Sequence, residues 1–300
     1  IELTRDGLNT GAISLNQTVK NDALREVFNS RDFRIGLSYA MDRQRIIDTV
    51  FVSQGEPYQI APGPQDALYD ETLAKQYTEH NVELANEHLD AAGLTERDAD
   101  GFRLMPNGER ISFVFIYAED AAFPAEAGAI LQMIAQDWAE VGVEMIPRGL
   151  PRTTYSDNVI SNDFDAAIWL GGWNTLADMS RPVQYIPMDG PFAAEWGPGW
   201  AIWYQDPNDE LAVEPPDKVK ELLDIWTEIR ATPDREAREA LMARALEIHQ
   251  EELYVLGLSS SANGYAIVTN RTQNVPLSMP DSWPWPTPGP AMPFTWYLEG

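Results

Sequence analysis

The clearest pattern of apolar and polar positions runs from residue 32 to residue 55. It predicts two consecutive helices with Asp42 between them, since a carboxylate at an N-cap accepts free backbone N–H groups of the next turn. Gly36 lies inside the first helix, where glycine is unfavourable, so we expect close packing against a neighbour there. Gly55 is expected to end the second helix with a positive φ. Four apolar side chains share one face of that second helix: Ile46, Ile47, Val50 and Phe51.

The later pattern alternates between helices and strands. Helical periodicity predicts helices over 81–92, 217–230 and 233–252, with Thr232 as the cap of the last one. Short apolar runs predict strands at 11–18, 111–117, 143–146, 164–170, 254–258 and 265–268. A helix after Pro124, with one apolar face, connects the second and third of these strands: Ile130, Leu131, Ile134 and Trp138. This β-α-β order predicts a parallel pair in an α/β fold.

An acidic turn at 96–101 partly fits a calcium-binding loop. Glu96, Asp98 and Asp100 alternate, and Gly101 occupies the sixth position of the loop. The twelfth position is Asn107 instead of the expected glutamate, and a strand pattern follows. We therefore predict a polar turn that opens a hairpin.

Composition removes several classes of function. The net charge of −26 argues against binding to nucleic acid, which requires basic patches, and suits a soluble protein or a cationic ligand. The chain has no cysteine, and His80, His88 and His249 have no partner at ligand spacing. We expect no metal site, no cofactor and no catalytic residue. Ser38 sits in a nucleophile-elbow-like sequence but inside a predicted helix, which is the wrong context for a nucleophile.

The strongest recognition feature is the end of the strand predicted at 164–170. Gly171 and Gly172 follow that strand, and ligands bind open α/β sheets at the carboxyl ends of strands. Trp173 could stack on a ligand there, with Asn174 and Asp178 as polar partners. The alternative is a packed tryptophan and a helix cap at a strand end.

Tryptophan is concentrated in this part of the chain. Five of the ten tryptophans lie within 35 residues: Trp169, Trp173, Trp196, Trp200 and Trp203. Strand alternation places Trp169 on the same face as Ala167, where it is expected to pack in the protein. The predicted ligand-binding set is completed by residues outside the strand: Trp200, Trp203 and Asn16.

Several segments resemble a known family. Residues 33–43, FRIGLSYAMDR, resemble a segment of the large solute-binding proteins of ABC transporters, family 5, which bind peptides, nickel or oligosaccharides. Residues 100–103 (DGFR) and 106–109 (PNGE) resemble the hairpin of that family, and 164–166 (FDA) with 172–173 (GW) resemble its approach to the ligand cleft. The resemblance covers nearly the whole chain, but only the second half of such a protein.

The resemblance implies a periplasmic-binding-protein-like α/β lobe, with a mixed sheet flanked by helices. Residues 1–19 would be a crossover strand from the first lobe, 20–254 the ligand-binding lobe, and 255–300 a return segment to the first lobe. In peptide-binding members an aspartate directly after this tryptophan binds the α-amino group of the ligand. Asp178 lies later, whereas 196–204, 214–216 and 274–276 resemble oligosaccharide-binding members.

The function implied is that of an extracytoplasmic substrate-binding protein. It would be a monomer, periplasmic or extracellular, that closes two lobes around a short oligopeptide or oligosaccharide and delivers it to an ABC permease in the membrane. One alternative is a carbohydrate-active enzyme with a tryptophan-lined cleft and two catalytic carboxylates. Another is a structural or adhesion fragment without a small-molecule pocket. We expect weak binding by this chain alone, because one lobe supplies one wall of the cleft.

Overall fold

The computed structural model describes residues 1–5, 8–120, 126–172, 179–188, 194–281 and 288–299. The helices are α1 Asp22–Asn29, α2 Arg31–Ala40, α3 Arg43–Val50, α4 Glu71–Lys75, α5 Val82–Ala91, α6 Ala127–Glu140, α7 Arg152–Ile160, α8 Pro198–Gln205, α9 Asp217–Ala231 and α10 Arg235–Glu252. The strands are β1 Glu2–Thr4, β2 Asn9–Leu15, β3 Ser112–Ala118, β4 Glu144–Leu150, β5 Ala166–Gly171, β6 Leu256–Gly257, β7 Gly264–Tyr265, β8 Thr272–Gln273, β9 Ser278–Pro280 and β10 Tyr297–Leu298.

The main element is a five-stranded mixed sheet with the order β4-β3-β5-β2-β6. Strands β4, β3 and β5 run parallel, and β2 is antiparallel to both β5 and β6. The β3-α6-β4 unit is the predicted parallel β-α-β connection. A mixed sheet with flanking helices confirms the predicted fold class.

Helices cover both faces of this sheet. On one face Ile168 and Phe113 share a buried cluster with Trp138 of α6. On the other face Ala167 joins Tyr155 of α7 in a separate cluster. Successive residues of β5 therefore point to opposite faces, as the alternation of a strand requires. A third buried cluster joins α4 and α8 to α10 beside β2.

The predicted helix pair is α2 and α3. The Asp42 side chain caps α3 by accepting the backbone N–H of Arg45 at 2.9 Å. A Cβ at Gly36 would lie 2.8 Å from Leu89 Cγ, so close packing against α5 explains the glycine. The predicted end of the second helix is wrong in one detail. Helix α3 ends at Val50, and Gly55, with φ +103°, lies in the turn beyond it.

Two arginines of the α2–α3 helix pair are buried. Arg43 donates from Nε to the Gly257 carbonyl at 2.9 Å, from Nη1 to the Ser38 carbonyl at 2.7 Å, and from Nη2 to Ser38 Oγ at 2.8 Å. Arg34 donates to the carbonyl groups of Glu252 and Leu253. Both guanidinium groups thus connect α2 and α3 to the backbone that leads into β6.

The acidic turn has the predicted role. Asp98 Oδ1 accepts the N–H groups of Asp100 at 2.9 Å and Phe102 at 3.0 Å, and Arg110 Nε donates to Asp98 Oδ2 at 2.6 Å. Backbone bridges pair residue 97 with 103 and residue 104 with 110. The hairpin prediction is confirmed, and the Asp98 carboxylate is occupied by protein donors.

Some helix and strand boundaries differ from the predicted ones. Asp234 caps α10 by accepting the Ala237 N–H at 2.9 Å, whereas Thr232 is the C-cap residue of α9. The predicted Thr232 cap is wrong because α10 begins at Arg235, two residues later than expected. Pro124 lies outside the described residues. The strand predicted at 265–268 is the short β7, which pairs with β1.

The terminal segments form their own small sheets. Strands β7, β1 and β9 form one, and β10 pairs with β8. Leu3, Met279 and Ala291 are buried together in the first. Both termini also contribute to the main sheet, through β2 and β6. The division at residues 19 and 254 stays a prediction.

We expect Gly36→Ala to destabilise the chain by about 1–3 kcal/mol, because the added methyl group overpacks the contact with Leu89 and exceeds the gain in helix propensity. Urea unfolding measures the change. Thr49→Ala, at an exposed position of α3, is the control and should stay within about 0.5 kcal/mol. Equal effects of the two substitutions would contradict the packing explanation.

We expect Arg43→Lys to cost about 2–4 kcal/mol, because one ammonium group cannot reproduce three hydrogen bonds in a guanidinium geometry and leaves carbonyls unpaired. The matched change Arg235→Lys affects a side chain that is 66% exposed and should be nearly neutral. Chemical denaturation of both variants is the measurement. A neutral Arg43→Lys would show that the buried arginine is not needed for the helix pair.

Candidate ligand-binding edge

One edge of the main sheet collects the carboxyl ends of β3, β4, β5 and β6. Because β2 is antiparallel to β5, its first residue, Asn9, pairs with Gly171 at this same edge. Asn9 also bridges to Ser260, and Ser261 N–H donates to the Leu8 carbonyl at 2.8 Å. At this edge the chain therefore passes from the main sheet to the small terminal sheet of β7, β1 and β9. This carboxyl edge is where open α/β sheets bind ligands.

Strand β5 ends at this edge in two glycines. A Cβ on Gly171 would lie 2.4 Å from Ile60 Cδ1 and 2.9 Å from Ala12 Cβ, so no larger residue fits. Gly172 has φ +68°, a conformation that favours glycine. The predicted ligand residues follow directly and lie outside the described residues: Trp173, Asn174 and Asp178. Their roles stay predictions.

Trp169 lies two residues before the end of β5 and packs within the protein. Its ring stacks on Tyr155 with centroids 5.4 Å apart and an interplanar angle of 24°. The Arg152 guanidinium carbon lies 5.2 Å from the centroid of the same ring. Trp169 shares its face with Ala167, as the alternation predicts.

A buried carboxyl group lies behind this stack. Glu195 is 3% exposed, and its Oε1 is 3.5 Å from the Tyr155 hydroxyl, which is also 3.4 Å from the Ile168 carbonyl. Burial raises the pKa of Glu195 to about 7, and burial also raises the pKa of Tyr155 well above its ordinary value. Sequence reasoning missed Glu195. The available signal was a single acid within the apolar stretch 194–203.

A small cavity of about 190 Å³ opens at the same edge, between loop 56–65 and the terminal segments. Tyr58 and Glu56 line one side, and Arg5 and Asn263 line the other. Lys75 Nζ contacts Glu56 at 2.8 Å and lies 4.9 Å from the Tyr58 ring centroid.

The other predicted ligand residues lie at the opposite, amino edge of the sheet. The side chain of Asn16 bonds within the protein, since Nδ2 donates to Asn162 Oδ1 at 2.7 Å and Oδ1 accepts from Thr18. Trp200 is 2% exposed and packs on Trp196. Trp203, also in α8, is half-buried beneath Lys220.

The structure therefore does not bring Asn16, Trp200 and Trp203 to the end of β5. The Asn16 N–H donates to the carbonyl of Asp165, directly before β5. A strand of six residues separates two edges by roughly 20 Å. These three residues do not share the carboxyl edge with Gly171, because α8 packs beside the start of β5, and their roles in ligand binding stay predictions.

The described ranges hold no group of three or more His, Cys, Asp or Glu side chains that could bind a metal ion. In those same ranges no helix combines the length and apolar character that a membrane span needs.

Comparison with known proteins identifies the family. Residues 2–189, more than half of the chain, match the model described as bacterial extracellular solute-binding proteins, family 5 Middle. The chain belongs to this family. Its members are substrate-binding proteins.

Individual relatives are distant. The periplasmic alpha-galactoside-binding protein of Rhizobium meliloti (strain 1021) is 25% identical over 266 residues, which cover 86% of this chain and 36% of that protein. The oligopeptide-binding protein OppA is 29% identical with a TM-score of 0.81, covering 99% of this chain and 48% of the other. MelB of Agrobacterium fabrum C58, solved with stachyose, is 20% identical with a TM-score of 0.69, covering 91% and 40%. The chain thus spans half or less of these relatives.

We expect the stability of the chain to depend on the ionisation of Glu195. Its folded pKa of about 7 exceeds its ordinary value of 4.5, so the folded state binds the proton more tightly. The contribution of Glu195 to the free energy of unfolding therefore falls as the pH rises from about 4.5 to about 7, and it does not change further above pH 7. Glu195→Gln should be more stable than the parent at pH 8 by about 1–3 kcal/mol and nearly equal at pH 4.

Urea unfolding of both proteins between pH 4 and pH 8 measures this difference. Glu83→Gln, which changes an exposed side chain, is the control. A difference between Glu195→Gln and its parent that does not change with pH would show that Glu195 ionises normally.

Proposed function

We propose that this chain forms the ligand-binding lobe of an extracytoplasmic substrate-binding protein of an ABC transporter. The observation that carries the proposal is the carboxyl edge of the main sheet, where β5 ends in Gly171 and Gly172 beside the small terminal sheet, in a chain of solute-binding family 5. A ligand at this edge would lie between two groups of elements. Closing the two groups around it is the mechanism that such a geometry supports.

We place an α-galactoside oligosaccharide first among ligands and a short oligopeptide second. The Rhizobium relative is named for α-galactoside binding, and MelB was solved with stachyose, whereas OppA is named for oligopeptides. Asp178 lies further along the chain from Trp173 than the aspartate of peptide-binding members does, which is a second argument against a peptide ligand. The proposed contacts are Trp173, stacked on a sugar ring, with Asn174 and Asp178 as hydrogen-bonding partners.

The proposed protein binds its ligand and catalyses no reaction. No observation on the described residues favours the alternative of a carbohydrate-active enzyme, and the relatives are named as binding proteins. We propose a monomeric protein in the periplasm or outside the cell that associates with the membrane through the permease. The segments 1–19 and 255–300 are proposed to connect the lobe of residues 20–254 to a second lobe.

The ligand is tested on the chain with stachyose and with a tetrapeptide. Because one wall buries little of a ligand, we expect affinity near the millimolar range, which saturation-transfer NMR detects. Trp173→Ala should weaken stachyose binding by about 1–3 kcal/mol, the scale of a lost aromatic contact, and leave the melting temperature unchanged.

Trp203→Ala is the matched control, because Trp203 lies at the opposite edge of the sheet. Loss of binding in Trp203→Ala alone would move the site to that edge. Tetrapeptide binding without stachyose binding would reverse the order of ligands. Release of free galactose from stachyose would favour a carbohydrate-active enzyme over a binding protein.

A further inference from the structure

The small cavity at the carboxyl edge lies where the main sheet meets the terminal sheet. Its volume of about 190 Å³ is that of about six water molecules, which is room for one sugar ring. Glu56 and Tyr58 line it on the side of loop 56–65, and Arg5 and the segment 260–263 line it on the terminal side. Both groups of elements that would close around a ligand therefore contribute to this cavity.

The cavity continues the edge at which β5 ends. Gly171 pairs with Asn9, and Asn9 bridges to Ser260, which lines the cavity. Ser260 is joined in turn to Glu56, because its N–H donates to the Glu56 carbonyl at 3.0 Å and its Oγ accepts the Glu56 N–H at 3.2 Å. Neighbouring strands lie about 4.8 Å apart, so two steps place Ser260 about 10 Å from Gly171. A ligand of several units can therefore reach from the end of β5 into the cavity.

Ion pairs hold the charged side chains on both sides of the cavity. On the terminal side Arg5 Nε donates to Asp281 Oδ2 at 3.2 Å. On the loop side Glu56 Oε2 contacts Lys75 Nζ at 2.8 Å. Each charge thus already has a compensating charge within the protein. This arrangement favours a neutral ligand over the charged end of a peptide, which needs an uncompensated partner.

Hydrogen-bonding capacity remains on both sides. The Nη1 and Nη2 groups of Arg5 and the Ser261 hydroxyl have no hydrogen-bond partner within the described ranges, and neither does Glu56 Oε1. The side chains of Arg5 and Glu56 are 29% and 56% exposed, so a ligand can reach them. Donors therefore lie on the terminal side and an acceptor lies on the loop side.

Hydroxyl groups suit this arrangement, because each one both donates and accepts a hydrogen bond. Bonds from a hydroxyl to an ionised partner are also stronger than bonds between neutral groups. Tyr58 is 2% exposed and donates from its hydroxyl to the Pro62 carbonyl at 2.9 Å, so it supports the cavity and offers no ring face for stacking. The complementary ligand is a neutral ring of hydroxyl groups.

We propose that this cavity binds one hexopyranose unit, at the end of an oligosaccharide, through its hydroxyl groups. The Nη groups of Arg5 and the Ser261 hydroxyl donate to the sugar, and Glu56 Oε1 accepts from it. The inference rests on the proposed function, because it takes an oligosaccharide as the ligand. It adds a hydrogen-bonding subsite to the stacking contact at Trp173.

The first test titrates the 300-residue chain with stachyose and follows the backbone amide resonances of Ser261 and Asn263 by NMR. Ser261→Ala removes one hydroxyl and keeps the N–H that donates to the Leu8 carbonyl. We expect saturable shifts in the parent and about two- to fivefold weaker binding in Ser261→Ala, as for one lost hydrogen bond. Ser278→Ala, at an exposed position of β9 outside the cavity, is the matched control and should bind as the parent does.

A second pair of variants tests the acceptor. Glu56→Gln should weaken stachyose binding about two- to tenfold, because a neutral amide oxygen replaces an ionised one. Glu87→Gln removes an exposed carboxylate remote from the cavity lining and should leave the affinity unchanged. Equal affinities of Glu56→Gln and Glu87→Gln would overturn the role of Glu56.

Two small probes test the preference for a neutral ligand. Methyl α-galactopyranoside offers one neutral ring, and diglycine offers a charged amino group and a charged carboxylate. The galactoside should shift the Ser261 and Asn263 resonances, and diglycine should shift them less at equal concentration. A larger effect of diglycine would overturn the assignment to a sugar.

The outcomes separate this subsite from the function on which it rests. Stachyose binding that weakens in Trp173→Ala but not in Ser261→Ala, with unmoved Ser261 and Asn263 resonances, would overturn the subsite and leave the sugar-binding function intact. A parent chain that does not bind stachyose at all would overturn both.

Discussion

The burial of two guanidinium groups is the constraint on which the main sheet depends. Arg34 of α2 and Arg43 of α3 donate to backbone carbonyls between residues 252 and 257. Burial lowers the pKa of Arg34 to about 10 and that of Arg43 to about 9, so both remain charged at neutral pH. A buried charge is tolerated only when its donors are satisfied. The helix pair and the entry to β6 must therefore keep one fixed spacing.

This constraint extends to the proposed binding edge. Ser38 accepts from Arg43 and also from Gln59 Nε2 at 3.0 Å, and Gln59 Oε1 accepts the Gly257 N–H at 2.8 Å. A Cβ on Gly257 would lie 2.5 Å from Gln59 Cα, so the loop rests directly on β6. Loop 56–65 then lines the small cavity beside the terminal sheet. Helix pair, strand and loop thus form one hydrogen-bonded unit at that edge.

The two edges of the sheet differ in chemistry. The carboxyl edge has two glycines, of which Gly171 packs against Ile60 and Ala12, and a stacked tryptophan with the buried Glu195 behind it. At the amino edge the side chains of Asn16 and Gln17 are buried, and Trp200 packs on Trp196. Strand β5 separates them, and α8 packs Trp200 near the second edge.

The sequence by itself determined the features that depend on neighbouring residues. The helix pair with its Asp42 cap, the close contact at Gly36, the acidic turn and the β-α-β unit all followed from local pattern. Only the tertiary structure decided which edge each candidate side chain occupies. It placed Asn16 and Trp200 at the amino edge, and it buried Glu195, because these positions are set by contacts between residues far apart in the chain. A one-dimensional pattern records which residues are apolar, but the pairing of distant strands and helices determines which of them meet.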